Sequence, residues 1–214
     1  MRLVLPRLYV ILDASLLTAP DTECAKKLAD AGVRLLQYRN KFAPSRELFE
    51  SSRRLSSLLL PRGVTFVVND RADVATLAGA SGVHIGQEDL GVEAARAVLG
   101  SGKLVGVSTH NLEQFNQAAV TSADYIAVGP VFSTSTKANP DPVVGIDFIR
   151  RIRPLTQKPI VAIGGITLER AADVIKAGAD SIAVISDILL APDPGKRARQ
   201  YIDLLEAANH AAAG

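Results

Sequence analysis

Short runs rich in β-branched and aliphatic residues recur along the chain, and each gives way to a polar junction and then to a segment of helical period. Eight such runs can be read: Leu8 to Leu12, Leu35 to Tyr38, Thr65 to Val68, Gly82 to Ile85, Leu104 to Val107, Tyr125 to Val128, Ile160 to Ile163 and Ser181 to Ile185. Their apolar residues are nearly continuous instead of alternating, as in strands of a parallel sheet covered on both faces. The segment from Thr22 to Ala31 places Cys24, Ala25, Leu28 and Ala29 on one helical face and stops at Gly32. The segment from Thr167 to Ala177 repeats that design, with Thr167 as candidate N-cap, Ala171, Val174 and Ile175 as the buried stripe, and Gly178 at its end. Similar helix-to-strand junctions at Ala31-Gly32-Val33, Ala80 to Val83, Ser122 to Tyr125 and Gly178 to Ser181 form a weak internal repeat.

Eight strand-helix units in 214 residues, undivided by any Pro-, Gly- or Ser-rich linker, predict a single-domain (β/α)8 TIM barrel over residues 1–214, with a disordered tail from about residue 209. A doubly wound open sheet is the competitor. It would call for fewer strands and a Gly-rich turn after the first, where Leu12-Asp13-Ala14-Ser15 has none. Twenty-four Lys and Arg against 22 Asp and Glu leave a formal charge of +2, which argues against duplex nucleic acid as the main partner. The single cysteine, Cys24, reads as a small core residue. No 18 apolar residues run together, and Met1 to Asp13 is interrupted by Pro6 and Arg7 without a small-residue cleavage pattern. The expectation is a soluble, cytoplasmic protein with no membrane partner; a homo-oligomer is left open.

In a barrel the chemistry belongs at the carboxyl ends of the strands. The second run ends in Gln37-Tyr38-Arg39-Asn40-Lys41, so Gln37, Arg39 and Lys41 share one side of an extended segment, either as a ligand site or as a solvated rim. After the third run, Asp70 is either a cap for a helix starting at Arg71 or a ligand group. Asp89, after the fourth run, tips that choice: two carboxylates on neighbouring strand ends, near cations, suit Mg2+ that also takes phosphate oxygens and water. His84 reads as a packing residue or a hydrogen-bond partner, His110 as part of a helix start, and Ser108 as an N-cap or ligand contact. Beyond the sixth run, Thr134, Ser135, Thr136 and Lys137 offer hydroxyls, backbone N–H groups and a charge to a phosphate, the alternative being a flexible surface loop. Residues 138–145 extend this stretch as a candidate lid. Gly164-Gly165 after the seventh run and Ile185-Ser186 at the end of the eighth lie where this fold repeatedly binds phosphate.

Taken in order, Gln37 to Lys41, Val68 to Arg71, Gly82 to Leu90, Gly106 to His110, Gly129 to Lys137 and Ala162 to Ile166 resemble the motifs of the thiamine phosphate synthase family, over about Leu8 to Ile188. Asn40 departs from the pattern, since the family commonly has an acid there. The resemblance implies a Mg2+-dependent transferase of this barrel fold that joins a pyrimidine diphosphate to a thiazole phosphate and releases pyrophosphate. By the same resemblance Gln37, Tyr38, Arg39, Asn40, Lys41, Asn69, Ser108 and Lys137 bind the diphosphate substrate, and Lys137, Ser108 and Arg39 carry the catalysis. It also assigns Asp70 and Asp89 to Mg2+, and Thr134, Ser135, Thr136, Gly165, Ile185 and Ser186 to the thiazole phosphate. Two rivals are a thiazole tautomerase, in which a histidine is expected where Pro130 stands, and a non-catalytic sensor of phosphate ligands.

Overall fold

The computed structural model describes residues 3–134 and 141–212, with side chains through Ala207. Eight parallel strands close into a barrel in sequence order, and β8 pairs back onto β1. The strands are β1 (Leu8–Asp13), β2 (Leu35–Arg39), β3 (Thr65–Asn69), β4 (Gly82–Ile85), β5 (Leu104–Thr109), β6 (Tyr125–Val128), β7 (Ile160–Ile163) and β8 (Ser181–Val184). The helices that follow them are α1 (Asp21–Asp30), α2 (Ser45–Leu59), α3 (Ala72–Leu77), α4 (Val92–Leu99), α5 (Leu112–Ala119), α6 (Ile146–Ile152) and α7 (Leu168–Lys176). The last crossover is split into a four-residue α8 (Ser186–Leu189) and a long α9 (Pro194–Ala212), which runs past residue 209. The expected barrel is therefore the observed one. Among the described residues no helix is long and apolar enough to cross a membrane.

Several strands run further than their apolar runs. Asp13 pairs with Arg39, Asn69 with His84, and Ser108 and Thr109 with Ala127 and Val128. Backbone pairing does not require apolar side chains, so the ladder continues after the barrel interior has turned polar. That extension fixes the strand-end polar groups on a rigid frame.

Side chains alternate across each strand, giving two cores. Leu36 and Tyr38 belong to the outer core between barrel and helices, together with Cys24, Ala25 and Leu28 of α1. Leu35 belongs to the inner core with Tyr9, Ile11, Val67, Tyr125 and Val161. Cys24 thus takes the core place expected of it, and burial pushes its thiol up.

The amino end of the barrel repeats one tie. Asp124 Oδ2 accepts from Val105 N at 2.7 Å and from Arg96 at 2.5 Å, while Asp180 Oδ2 accepts from Ile160 N at 2.8 Å and from Arg153 at 2.5 Å. Ser81 Oγ plays a simpler version, accepting from Phe66 N at 3.1 Å. Three of the four repeated junctions in the sequence carry such a tie, at Ser81, Asp124 and Asp180; at Ala31-Gly32-Val33 Arg34 instead donates to Ala29 O and Val33 O. Thr167 occupies the N-cap position of α7 without a side-chain cap bond, because its hydroxyl is drawn to Glu169.

Candidate active site

Gln37 and Arg39 have the same parity as Leu35 and point into the upper barrel. Arg39 Nη1 donates to Asp13 Oδ2, and Asp13 Oδ1 in turn accepts from Ser15 N at 3.1 Å and Ser15 Oγ at 2.7 Å. A 2% exposed carboxylate thereby holds the guanidinium at the floor of the mouth. Lys41 lies beyond the strand, half exposed, with Nζ 3.3 Å from Asp70 Oδ2. Tyr38 and Asn40 have the opposite parity. Tyr38 is buried in the outer core, and Asn40 Oδ1 accepts from Phe42 N and Ala43 N at 3.3 and 3.2 Å, closing the turn into α2. The structure therefore does not bring Tyr38 and Asn40 together with the other three, and the side chain at position 40 serves the turn instead of the charge balance of the mouth.

Asp70 does not cap a helix: α3 begins at Ala72, with Arg71 at the N-cap position. Arg71 instead forms a bidentate pair with Asp73 at 2.6 and 2.9 Å. Asp70 has φ of 63°, one of the few conformations outside glycine that an Asp tolerates, and its N–H donates to His84 O at 2.7 Å. The turn carries its carboxyl to within hydrogen-bonding reach of Asp89. Burial and then Asp89 push the Asp70 carboxyl up to about 6, with Lys41 opposing. Asp89 Oδ2 also accepts from Gly86 N at 2.7 Å, which fixes the β4–α4 turn. No group of three or more His, Cys, Asp or Glu suited to a metal occurs among the described residues. A two-carboxylate set of hard oxygens fits a cation that completes its shell with water and phosphate, as Mg2+ does.

A hydrogen-bonded relay crosses the upper barrel beneath these groups. Gln37 Nε2 donates to the Tyr9 hydroxyl at 2.8 Å, Tyr9 and Tyr125 share a bond of 3.0 Å, Tyr125 reaches His84 Nδ1 at 3.0 Å, and His84 Nε2 reaches Ser108 Oγ at 2.9 Å. The sense that uses each donor once runs from Gln37 to Ser108, leaving the Ser108 hydroxyl proton free to point into the mouth. Burial raises both tyrosines, so they remain neutral donors. His84 also stacks on Tyr125, with centroids 5.6 Å apart. His84 is thus the hydrogen-bond partner its place in the strand suggests. Asn69 lies half-buried at the end of β3, beside His84 in the register.

The loops after β6, β7 and β8 form the other side. Val131 N donates to Ile163 O at 2.9 Å and Phe132 N to Gly164 O at 3.0 Å, so the first loop continues the barrel pairing. Gly165 has φ of 62°, and a Cβ there would lie 2.3 Å from Ser133 O. Two loop backbones meet only because this residue is glycine. Ser186 opens α8 behind Ile185, and the Tyr201 hydroxyl of α9 donates to Asp187 at 2.6 Å and lies 3.3 Å from Ile166 O, linking this loop to the one after β7. Thr134 is half-buried at the end of the described part of its loop; Ser135, Thr136 and Lys137 lie outside the described residues. His110 Nδ1 lies 2.6 Å from Gly129 O and 3.5 Å from Asp141, while its N–H donates to Gln114; the cap of α5 is Asn111.

Asp13, Tyr9 and Tyr125 are not among the site residues that the sequence suggests. Asp13 shares the signal of the others, a polar residue closing an apolar run. The tyrosines carry no such signal, because within a run apolar on both faces a tyrosine reads as core.

A family model described as thiamine monophosphate synthase matches residues 8–188. The chain belongs to the thiamine monophosphate synthase family. It is 51% identical over 210 residues to a thiamine-phosphate synthase from Koribacter versatilis, covering 96% of this chain and 98% of that one. It is 45% identical over 195 residues to a thiamine-phosphate synthase from Chloroflexus aurantiacus, covering 91% and 90%. Among solved structures, a thiamine phosphate pyrophosphorylase from Pyrococcus furiosus superposes with a TM-score of 0.86 at 34% identity, covering 95% of this chain and 96% of that one.

Proposed function

We propose that the protein joins 4-amino-2-methyl-5-hydroxymethylpyrimidine diphosphate to hydroxyethylthiazole phosphate, forming thiamine phosphate and pyrophosphate in the cytoplasm. The observation that carries this reading is the convergence of Lys41, Asp70 and Asp89 at one edge of the barrel mouth above a neutral hydrogen-bonding relay. That combination suits departure of a polyanion from an uncharged ring.

Asp70 and Asp89 would hold Mg2+, which supplies charge neutralisation to the diphosphate. Arg39, fixed by Asp13, and Lys41 add positive charge whose attraction grows as the carbon–oxygen bond breaks and its electron pair passes to the leaving oxygen. Lys137 is assigned to the same diphosphate by the family motif. Gln37 and Ser108, at the two ends of the relay, present an amide and a hydroxyl of fixed direction to the aminopyrimidine. Asn69 lies beside them. The thiazole nitrogen then gives its lone pair to the exocyclic methylene, the phosphate of that substrate being held by Thr134, Ser135, Thr136, Gly165, Ile185 and Ser186. No protein nucleophile and no proton transfer are required for the balance.

Mixing both substrates with Mg2+ and following pyrophosphate and thiamine phosphate tests the reading. Stoichiometric appearance of both products is expected. Isomerisation of a thiazole substrate without pyrophosphate, or binding of both ligands without turnover, would replace it by the tautomerase or the sensor.

A further inference from the structure

Arg170 lies on the first turns of α7, exposed to solvent and outside every motif of the sequence reading. Its guanidinium nevertheless makes two directed contacts. Nη1 donates to Gly165 O at 2.9 Å, and the guanidinium carbon stands 4.6 Å from the centroid of the Phe132 ring. Phe132 belongs to the loop after β6 and Gly165 to the loop after β7. Those are the loops whose backbones meet where a Cβ on Gly165 would lie 2.3 Å from Ser133 O and 2.9 Å from Phe132 Cβ.

We propose that Arg170 is a positioning residue for the thiazole phosphate: it staples the loop after β6 to the loop after β7 and so sets the approach of their backbones to that phosphate. The inference rests on the functional reading above, which places the phosphate at Gly165. A planar guanidinium can stack on a ring and donate in its own plane together; a lysine ammonium cannot. One turn of helix thereby adds a side-chain clamp to a loop whose backbone pairs with Ile163 and Gly164 through Val131 and Phe132. The bond to Gly165 O also orients the Gly165–Ile166 peptide, whose plane governs the aim of the next N–H.

The stapled loops lie across the mouth from Lys41 and the Asp70–Asp89 pair, so the effect belongs to one substrate. Arg170→Ala is expected to raise KM for hydroxyethylthiazole phosphate about fivefold to tenfold, the loss of one cation–π contact and one hydrogen bond. KM for the pyrimidine diphosphate and kcat at saturation are expected to stay within about twofold. Arg170→Lys should recover little, and Phe132→Leu should raise the same KM. The double variant Arg170→Ala, Phe132→Leu should be no worse than the poorer single variant, because both break one staple.

Equal rises in both KM values, full recovery by lysine, or additive losses in the double variant would overturn the staple; additivity with suppression by salt would identify Arg170 as a plain charge near the phosphate. Calorimetric titration of hydroxyethylthiazole phosphate into wild type and Arg170→Ala separates this from the functional reading. Wild type that binds this ligand more tightly than the variant, yet makes no thiamine phosphate, keeps the staple and removes the reaction. Wild type that does not bind the ligand overturns the staple.

Discussion

Asp70 is held against two preferences, one conformational and one electrostatic. Its φ of 63° suits glycine or asparagine better, and its partly buried carboxyl faces the like charge of Asp89. Because its folded pKa is raised to about 6, the metal-free fold holds that proton more tightly than the unfolded chain does. The stability linked to that proton is fully present below the unfolded pKa of about 4 and is lost as pH rises through about 6. Asn is a permanently neutral stand-in that tolerates the same backbone. In chelator at pH 7.5, Asp70→Asn should therefore unfold at higher denaturant than wild type, by about 1–3 kcal/mol, and the gain should vanish below about pH 4. Its turnover with Mg2+ should collapse. Denaturant titrations at both pH values, beside the pyrophosphate assay, check the pair; a destabilised variant at pH 7.5 would mean that Asp70 supports the fold.

At the scale of the elements, what the sequence makes legible and what it hides follow from where polarity breaks the pattern. Asp70, Asp89, Arg39 and Ser108 are legible because each is a polar residue shortly after an apolar run, at the end where this fold does chemistry. Parity within a run is not legible when both faces are buried, so Tyr38 looks like a neighbour of Gln37 and Arg39 although it points into the helix layer. Tyr9 and Tyr125 are hidden for the same reason, and Arg170 because its partners lie on two other elements. Gly106 shows how a small residue in one strand serves a large one in the next: its Cβ would lie 2.0 Å from Tyr125 Cζ. Gly106→Ala should displace that ring from His84, costing about 1–3 kcal/mol from overpacking. Tyr125→Phe keeps the packing and removes only the hydroxyl between Tyr9 and His84. Thermal unfolding should accordingly show both variants weakened, Gly106→Ala by overpacking and Tyr125→Phe by taking the partner from the buried Tyr9 hydroxyl and His84 Nδ1, while both lose kcat by misaligning Ser108. Wild-type kcat in Tyr125→Phe would show that the relay does not orient that serine.

Across the whole molecule, the two ends of the barrel answer to different demands. The carboxyl end gathers Asp70, Asp89, Lys41 and Arg39, groups whose mutual placement suits a ligand more than the empty fold. The amino end gathers acids that each serve one backbone N–H and one arginine, at Asp124 and Asp180. Ile160 is fully buried, so removing the Asp180 carboxylate leaves its N–H without that acceptor, and Arg153 loses its ion pair while keeping Thr156 O and Lys158 O. An orphaned buried donor costs about 1–3 kcal/mol, which in a domain of this size lowers Tm by roughly 2–12 °C. The eight strands close one ring, so the loss should appear in a single cooperative transition and not as fraying of β7 alone. Asp180→Ala should therefore unfold at lower temperature with an unchanged denaturant slope, while both KM values and kcat at 25 °C stay within about twofold of wild type. This is the mirror image of Asp70→Asn, which gains stability and loses turnover. Comparing the two variants by thermal unfolding and steady-state kinetics tests the division directly: a loss of activity in Asp180→Ala comparable to its loss in Asp70→Asn would mean that the amino-end ties transmit strain through the strands to the mouth.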